Sequence, residues 1–104
     1  MPTIKPFDNA GGYTTFDNAV IDHVMPKCKP NTWKVVCATI RKTIGWNKES
    51  DSISLTQYMK LTGIKNRTTL LEALNDALEL GFITRVPYRN TFAYQINKGY
   101  ELEI

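Results

Sequence analysis

What this 104-residue chain lacks narrows its function before any pattern is read. It holds one histidine, His23, and two cysteines, Cys28 and Cys37, which supply neither a zinc ligand set nor a disulfide framework. Both cysteines therefore read as free thiols in a reducing compartment, and His23 as an ordinary helix residue. Carboxylates are scattered, and no glycine-rich loop is present to cradle a phosphate, so a nuclease or an ATPase would be without its working groups. The expectation is a protein with no catalytic activity, no cofactor and no metal. No apolar run approaches the ~20 residues of a membrane span, and the N-terminus has neither the basic start nor the apolar core of a signal peptide. A cytoplasmic protein with no membrane partner is expected. Asn66-Arg67-Thr68 matches a glycosylation acceptor, but that pattern needs a secreted context and is set aside.

What is present is one modest core and an uneven charge. Hydrophobic residues make up 42% of the chain, enough for a single domain spanning 1–104. Formal charge is only +3, yet residues 27–67 hold nine Lys and Arg against two Asp and Glu, while both flanks are net acidic. A cationic middle of this kind suits a polyanionic partner.

Along the chain, Phe7-Asp8-Asn9-Ala10 returns as Phe16-Asp17-Asn18-Ala19 across Gly11-Gly12, too short a copy to mark a structural repeat. Residues 1–12 read as a loose lead segment. Asp17 can cap a helix that carries Ala19, Val20, His23 and Val24 and stops at Pro26, after which Lys27 to Pro30 connect. From Asn31 a second helix shows one apolar stripe, Trp33, Val36, Cys37, Ile40 and Ile44, ended by Gly45. Trp46 to Asp51 is turn-prone, and Ser52-Ile53-Ser54 suits a short strand. Ser54-Leu55-Thr56-Gln57 is a capping box, starting a helix that ends at Thr62 with Gly63 beyond it. From Asn66, Leu70, Ala73, Leu74, Ala77 and Leu78 follow i, i+3, i+4, i+7, i+8, and Gly81 closes the helix. Only Gly63 to Asn66 separate these two helices, the length of a tight helix-turn-helix bend. The period then becomes two: Phe82 to Val86 and Thr91 to Ile96 form a hairpin around Pro87-Tyr88-Arg89-Asn90. The order predicts an α+β, mainly α fold: a winged helix-turn-helix of three to four helices with a short hairpin wing.

The run IRKTIGWNKESDSISLTQYMKLTGI, followed by a helix and LGFI, resembles the N-terminal domain of phage replication protein O, over roughly Tyr13 to Ile83. Its most specific part is Ile40 to Lys48 with Ser54-Leu55 and Thr62-Gly63-Ile64, since generic helix-turn-helix proteins do not carry RKTxGW ahead of the bend. The resemblance implies a winged helix that binds repeated duplex sites at a phage origin, in a bacterial or phage-infected cell, as the N-terminal part of a longer protein. It further implies a helicase or helicase loader as partner, and leaves open whether the chain binds DNA as a homodimer. Primosome helicase-loading proteins are similar more weakly. Two departures stand out. Where that family carries Arg, Lys or Ser on the helix after the bend, this chain has Glu72, Asn75 and Asp76, and Lys65 is additional in the bend.

On a wheel of about 100° per residue, Leu70, Leu71, Ala73, Leu74, Ala77 and Leu78 fill the apolar arc. Lys65, Thr68, Thr69, Glu72, Asn75, Asp76 and Glu79 fill the open one, with Arg67 between. Helix-turn-helix proteins read bases from the first turns of this helix, so Lys65, Asn66, Arg67, Thr68 and Thr69 are the candidate base contacts. The acidic residues behind them require the helix to enter by its tip. Lys34, Arg41, Lys42, Lys48 and Lys60 around the bend, with Arg85 and Arg89 on the hairpin, are the candidate phosphate contacts. Arg89 at the turn is placed to enter a minor groove. Of the aromatics Trp33, Trp46, Tyr58 and Phe92, Trp46 is the one best placed to lie outside the core. Three functions follow: a duplex-binding module of a replication initiator, a protein-interaction winged helix in a helicase-loading complex, or a transcription regulator.

Overall fold

The computed structural model describes Thr3, residues 6–7 and residues 11–102, so most of the expected lead segment lies outside the described residues. The Asp17 carboxylate accepts the Ala19 N–H at 2.9 Å and opens the first helical segment, as expected. The segment then widens into one π-helical turn, Val20–Val24, whose last bond runs from the Met25 N–H to the Val20 carbonyl. Pro26 does not stop it. Pro26 sits in the first turn of a 3₁₀ segment, Met25–Lys27, where its missing N–H costs nothing. Helix α1, Pro30–Lys42, starts on a proline at its first position, preceded by an extended Lys29, the conformation that the ring imposes on its predecessor. It ends at Lys42 rather than at Gly45, because the chain tightens into a second 3₁₀ turn, Ile44–Trp46.

Strand β1, Asp51–Ser52, is shorter than expected and begins one residue earlier. Helix α2, Leu55–Thr62, has the anticipated capping box: the Ser54 hydroxyl accepts the Gln57 N–H at 3.1 Å, and the Gln57 carbonyl accepts the Ser54 N–H at 2.9 Å. Gly63 ends it at φ 75°, in the left-handed region that costs glycine least. Helix α3, Arg67–Leu80, follows the bend, and strands β2, Ile83–Tyr88, and β3, Thr91–Ile96, complete the chain. The antiparallel sheet has the order β1-β3-β2. Three helices with this interleaved three-stranded sheet are a winged helix. The hairpin turn is tighter than expected: Tyr88 pairs with Thr91, leaving only Arg89-Asn90 in the loop. Pro87 lies within β2, an edge strand, where an absent N–H is tolerated.

The core joins α1, α2, α3 and the proximal sheet through Val35, Ile40, Tyr58, Leu74, Ile83 and Tyr94, among others. Leu74 is 1% exposed, and truncating such a leucine to alanine costs ~2–5 kcal/mol. The buried stripe of α1 is rotated from the one expected. Thr32, Thr39 and Thr43 are buried beside Val36 and Ile40, while Trp33 and Cys37 are only half-buried. The reason is local hydrogen bonding. The Thr39 hydroxyl donates to the Val35 carbonyl at 2.9 Å and the Thr43 hydroxyl to the Thr39 carbonyl at 2.7 Å, so each presents a satisfied, β-branched and largely apolar surface. Since the single Thr39 proton is used on Val35, the Tyr58 hydroxyl donates to Thr39 Oγ1, 2.8 Å away. Burial pushes that phenol well above its usual range and keeps it a donor. Tyr58 also meets Tyr94 edge to face at 5.4 Å, so this one side chain ties α1, α2 and β3 together.

Candidate nucleic-acid interface

The bend positions the tip of α3. Gly63 reverses the chain, Ile64 is buried as an anchor, and its N–H reaches the Thr62 hydroxyl at 3.2 Å. The next four residues, Lys65, Asn66, Arg67 and Thr68, are all exposed. The stretch is anchored on one side by Ile64 and capped on the other. Asn66 supplies the cap: its Oδ1 accepts the Thr69 N–H at 3.1 Å. A bidentate asparagine–adenine contact needs that same oxygen, so Asn66 reads a base only by surrendering a cap worth ~1 kcal/mol. Thr69 is half-buried beneath the tip. Lys65, Arg67 and Thr68 are thus the candidate base contacts with side chains turned outwards.

Behind the tip, the outward face of α3 carries Leu71, Glu72, Asn75 and Glu79, all exposed. Two expectations change here. Asp76 does not belong to the open arc: it is half-buried, and its Oδ2 accepts the Thr32 hydroxyl at 2.7 Å, joining α3 to the start of α1. Leu71, placed by periodicity in the apolar arc, is 36% exposed. The outer face therefore has two carboxylates and one leucine, and the third carboxylate is a structural tie.

The wing begins where the core ends. From Arg85 to Phe92 eight consecutive residues are exposed. Antiparallel pairing puts Arg85, Pro87 and Phe92 on one face and Val86, Tyr88 and Thr91 on the other. Phe92, grouped by alternation with the core residues Tyr94 and Ile96, is 37% exposed because it pairs with Pro87 out on the wing rather than over the helices. The Arg85 guanidinium lies 4.2 Å from the Phe92 ring centre, and the Arg89 guanidinium 5.3 Å from that of Tyr88. Arg89 itself holds φ at 54°, which an L-residue other than glycine adopts at a cost.

The remaining candidate phosphate contacts fall on other elements. Lys34 and Arg41 line a shallow groove of about 270 Å³ between α1 and the end of α2, with Trp33, Cys37 and Leu61. Arg41 also lies 5.3 Å from the ring of Trp46, which is 59% exposed, so Trp46 does stand outside the core. Lys60 is exposed on α2, and Lys42 is half-buried at the end of α1. Lys48 is engaged: its ammonium is 3.3 Å from the Asp51 carboxylate, the one ion pair among the described residues. Asp51 pairs with Tyr94, and Tyr94 with Arg85, so this pair sits on the far edge of the same sheet as the wing. The structure thus brings six of the nine candidate cations into pairs, Lys65 with Arg67 at the helix tip, Arg85 with Arg89 on the wing and Lys34 with Arg41 in the α1–α2 groove, and leaves Lys42, Lys48 and Lys60 outside them.

Two other groups are accounted for by packing. Cys28 and Cys37 are free and half-buried. Burial raises both thiols, with Asp76 adding to the effect on Cys28, which makes them poor nucleophiles at neutral pH. His23 is half-buried along an apolar cavity of about 600 Å³ between the N-terminal turns, α1 and the chain after β3.

The arginine–aromatic pairs of the wing were not anticipated. Their signal is four residues of cross-strand arithmetic: once the turn is reduced to Arg89-Asn90, Arg85 falls diagonally opposite Phe92 on one face.

Comparison with known proteins adds one match. The family model described as bacteriophage replication protein O matches residues 6–100. No curated protein and no solved structure gives a match.

Proposed function

The chain belongs to the bacteriophage replication protein O family and has a role in phage replication, and from that premise we propose that it is a non-catalytic module that binds duplex DNA at origin repeats. The observation that carries the reading is the projecting end of α3. Lys65, Arg67 and Thr68 stand exposed at the start of the helix that follows the bend, and among the described residues neither cation has a carboxylate partner. Arg67 can take guanine O6 and N7, and Thr68 a thymine methyl or a phosphate. Arg85 and Arg89 on the wing supply further cations for the backbone and for an adjacent minor groove. Glu72 and Glu79 set the docking angle: a helix lying flat along the groove would press both against phosphates, so α3 enters by its first turn.

A second reading rests on the same helix. Leu71, exposed beside Asn75 and Glu72, makes an acidic and apolar strip suited to a partner protein such as a helicase or its loader. The two readings are compatible, because the tip and the strip occupy different turns of α3. A regulator of transcription would use the same tip, and differs only in where its sites lie.

Titration of labelled origin-like and random duplexes at two salt concentrations tests the proposal. Binding that weakens steeply with salt and favours the origin-like duplex supports it. A signal indifferent to salt, or absent, assigns the fold to the partner-binding role. Arg67→Ala is expected to reduce discrimination between duplexes, whereas Arg85→Ala weakens all of them alike.

A further inference from the structure

We propose that the wing binds an unpaired nucleic-acid strand through two stacking positions, Phe92 on one face of the hairpin and Tyr88 on the other, each with its arginine. The inference goes beyond duplex binding and does not depend on it.

It starts from an excess of aromatic surface where there is no core. The distal hairpin is exposed from Arg85 to Phe92, yet Tyr88, Phe92 and Val86 within it are 46%, 37% and 46% exposed. A wing that only follows a duplex backbone needs cations and hydrogen-bond donors, not rings. Unpaired bases, in contrast, lose their stacking partners and recover them on aromatic side chains. Here each face of the wing offers one ring: Phe92 on one side, Tyr88 on the other. Each ring is overlaid by a guanidinium, Arg85 at 4.2 Å and Arg89 at 5.3 Å. An arginine on a ring gives a layered platform on which a base stacks against either plane, while the N–H groups remain available to the phosphate of the same nucleotide. Among the described residues neither arginine is held by a carboxylate, so that charge is not spent within the protein. The strand is fixed as well: β2 and β3 pair through the whole length of the wing, and the rings are therefore presented on a preformed ribbon.

The chemistry is that of an unpaired polynucleotide, whose sugar the experiment identifies. Fluorescence anisotropy with labelled oligo(dT) and oligo(U) of equal length, beside a duplex, is carried out on the wild-type chain and on Tyr88→Leu, Phe92→Leu and the double variant, with folding checked by circular dichroism. Leucine keeps the apolar bulk and removes the stacking plane. Each single variant is expected to lose about tenfold in affinity for the unpaired strand and the double variant more, with duplex affinity changed less than about threefold. The tighter of the two oligomers identifies the natural strand as DNA or RNA. Independently of any variant, photocrosslinking of halogenated oligo(dU) to the wild-type protein is expected to label Tyr88 or Phe92. The proposal is overturned if the wild-type chain does not bind either oligomer, if the double variant binds them unchanged, if duplex and single-strand affinities fall equally, or if crosslinks map only to Trp46 or elsewhere. Loss of duplex binding alone, with oligomer binding intact, overturns the duplex reading and leaves this one standing.

Discussion

Replacing Lys65 and Arg67 together by glutamine removes the charge of the helix tip while keeping its polarity and length, and the consequence is a number. Four exposed cations stand on the two projecting elements, Lys65 and Arg67 on the tip and Arg85 and Arg89 on the wing. Lys48 is left out because Asp51 already neutralises it, and Lys34, Arg41, Lys42 and Lys60 because they lie on α1 and α2 rather than on the tip or the wing. Four phosphate contacts give a slope of log K against log salt of about −3.6, so affinity falls about 150-fold between about 50 and about 200 mM. The double variant keeps two, giving a slope of about −1.8 and a fall of only about 12-fold over the same range. The two curves therefore converge as salt rises, and the deficit of the variant is largest in dilute buffer. Anisotropy titration of one duplex at four or five salt concentrations measures both slopes. An unchanged slope in the variant would mean that the tip does not touch the backbone, and a wild-type slope near zero would remove the duplex proposal itself.

Further outcomes follow from individual contacts. Thr39→Val leaves the buried Tyr58 hydroxyl without an acceptor and should cost ~1–3 kcal/mol, whereas Tyr58→Phe should cost ~1 kcal/mol and the double variant less than Thr39→Val alone. Urea denaturation of the three variants measures the cycle, and additive losses would disprove the coupling of these two hydroxyls. Glu72→Gln should raise duplex affinity a few-fold by removing an outward charge, and leave stability unchanged. Asp76→Ala, four residues on, should leave affinity unchanged and cost ~1.5–3 kcal/mol through the lost Thr32 hydrogen bond, and equal behaviour of the two variants in binding and melting would contradict the division. Arg89→Gly relieves a positive φ and should raise stability by ~0.5–1 kcal/mol in thermal melts while weakening duplex binding; a loss of stability would show that the Tyr88 contact outweighs the strain.

Which parts of the fold could be read in advance depended on whether a residue type has one dominant local use. Ser54 with Gln57, Gly63 and Gly81 are such cases, because a capping oxygen and a left-handed glycine each meet one requirement of a helix end. The boundaries they mark match the structure. Pro26 and Gly45 are the opposite: a proline serves the first turn of a new segment as well as it ends an old one, and Gly45 sits within a 3₁₀ turn without being a cap. Threonine misled the reading of α1 for a related reason. Counted as polar, Thr32, Thr39 and Thr43 vanish from the apolar stripe. Yet they recur at 32, 39 and 43, on one side of the helix, and the hydroxyls of Thr39 and Thr43 turn back onto their own backbone. A helix rich in threonine at i, i+7, i+11 is better read with those residues facing inwards.

The candidate site divides in the same way, between what spacing decides and what pairing decides. Spacing along one helix put Lys65, Asn66, Arg67, Thr68 and Thr69 at the tip, where all but the half-buried Thr69 are exposed. It assigned Asp76 the same environment as Glu72, since one helical turn separates them. The difference came from Thr32, 44 residues away in the chain, whose hydroxyl reaches into that arc. Long-range pairing also created the wing platform: Phe92 lies outside the core because β3 extends past the helices against Pro87, which a pattern of alternating residues does not reveal. The acidic character of α3 is consequently weaker as an argument against DNA than its composition suggests. Of its three carboxylates one is spent on α1, and the other two lie behind the turn proposed to enter the groove. What they oppose is a helix laid flat along the groove, which leaves a tip-first approach as the docking geometry of the proposed complex.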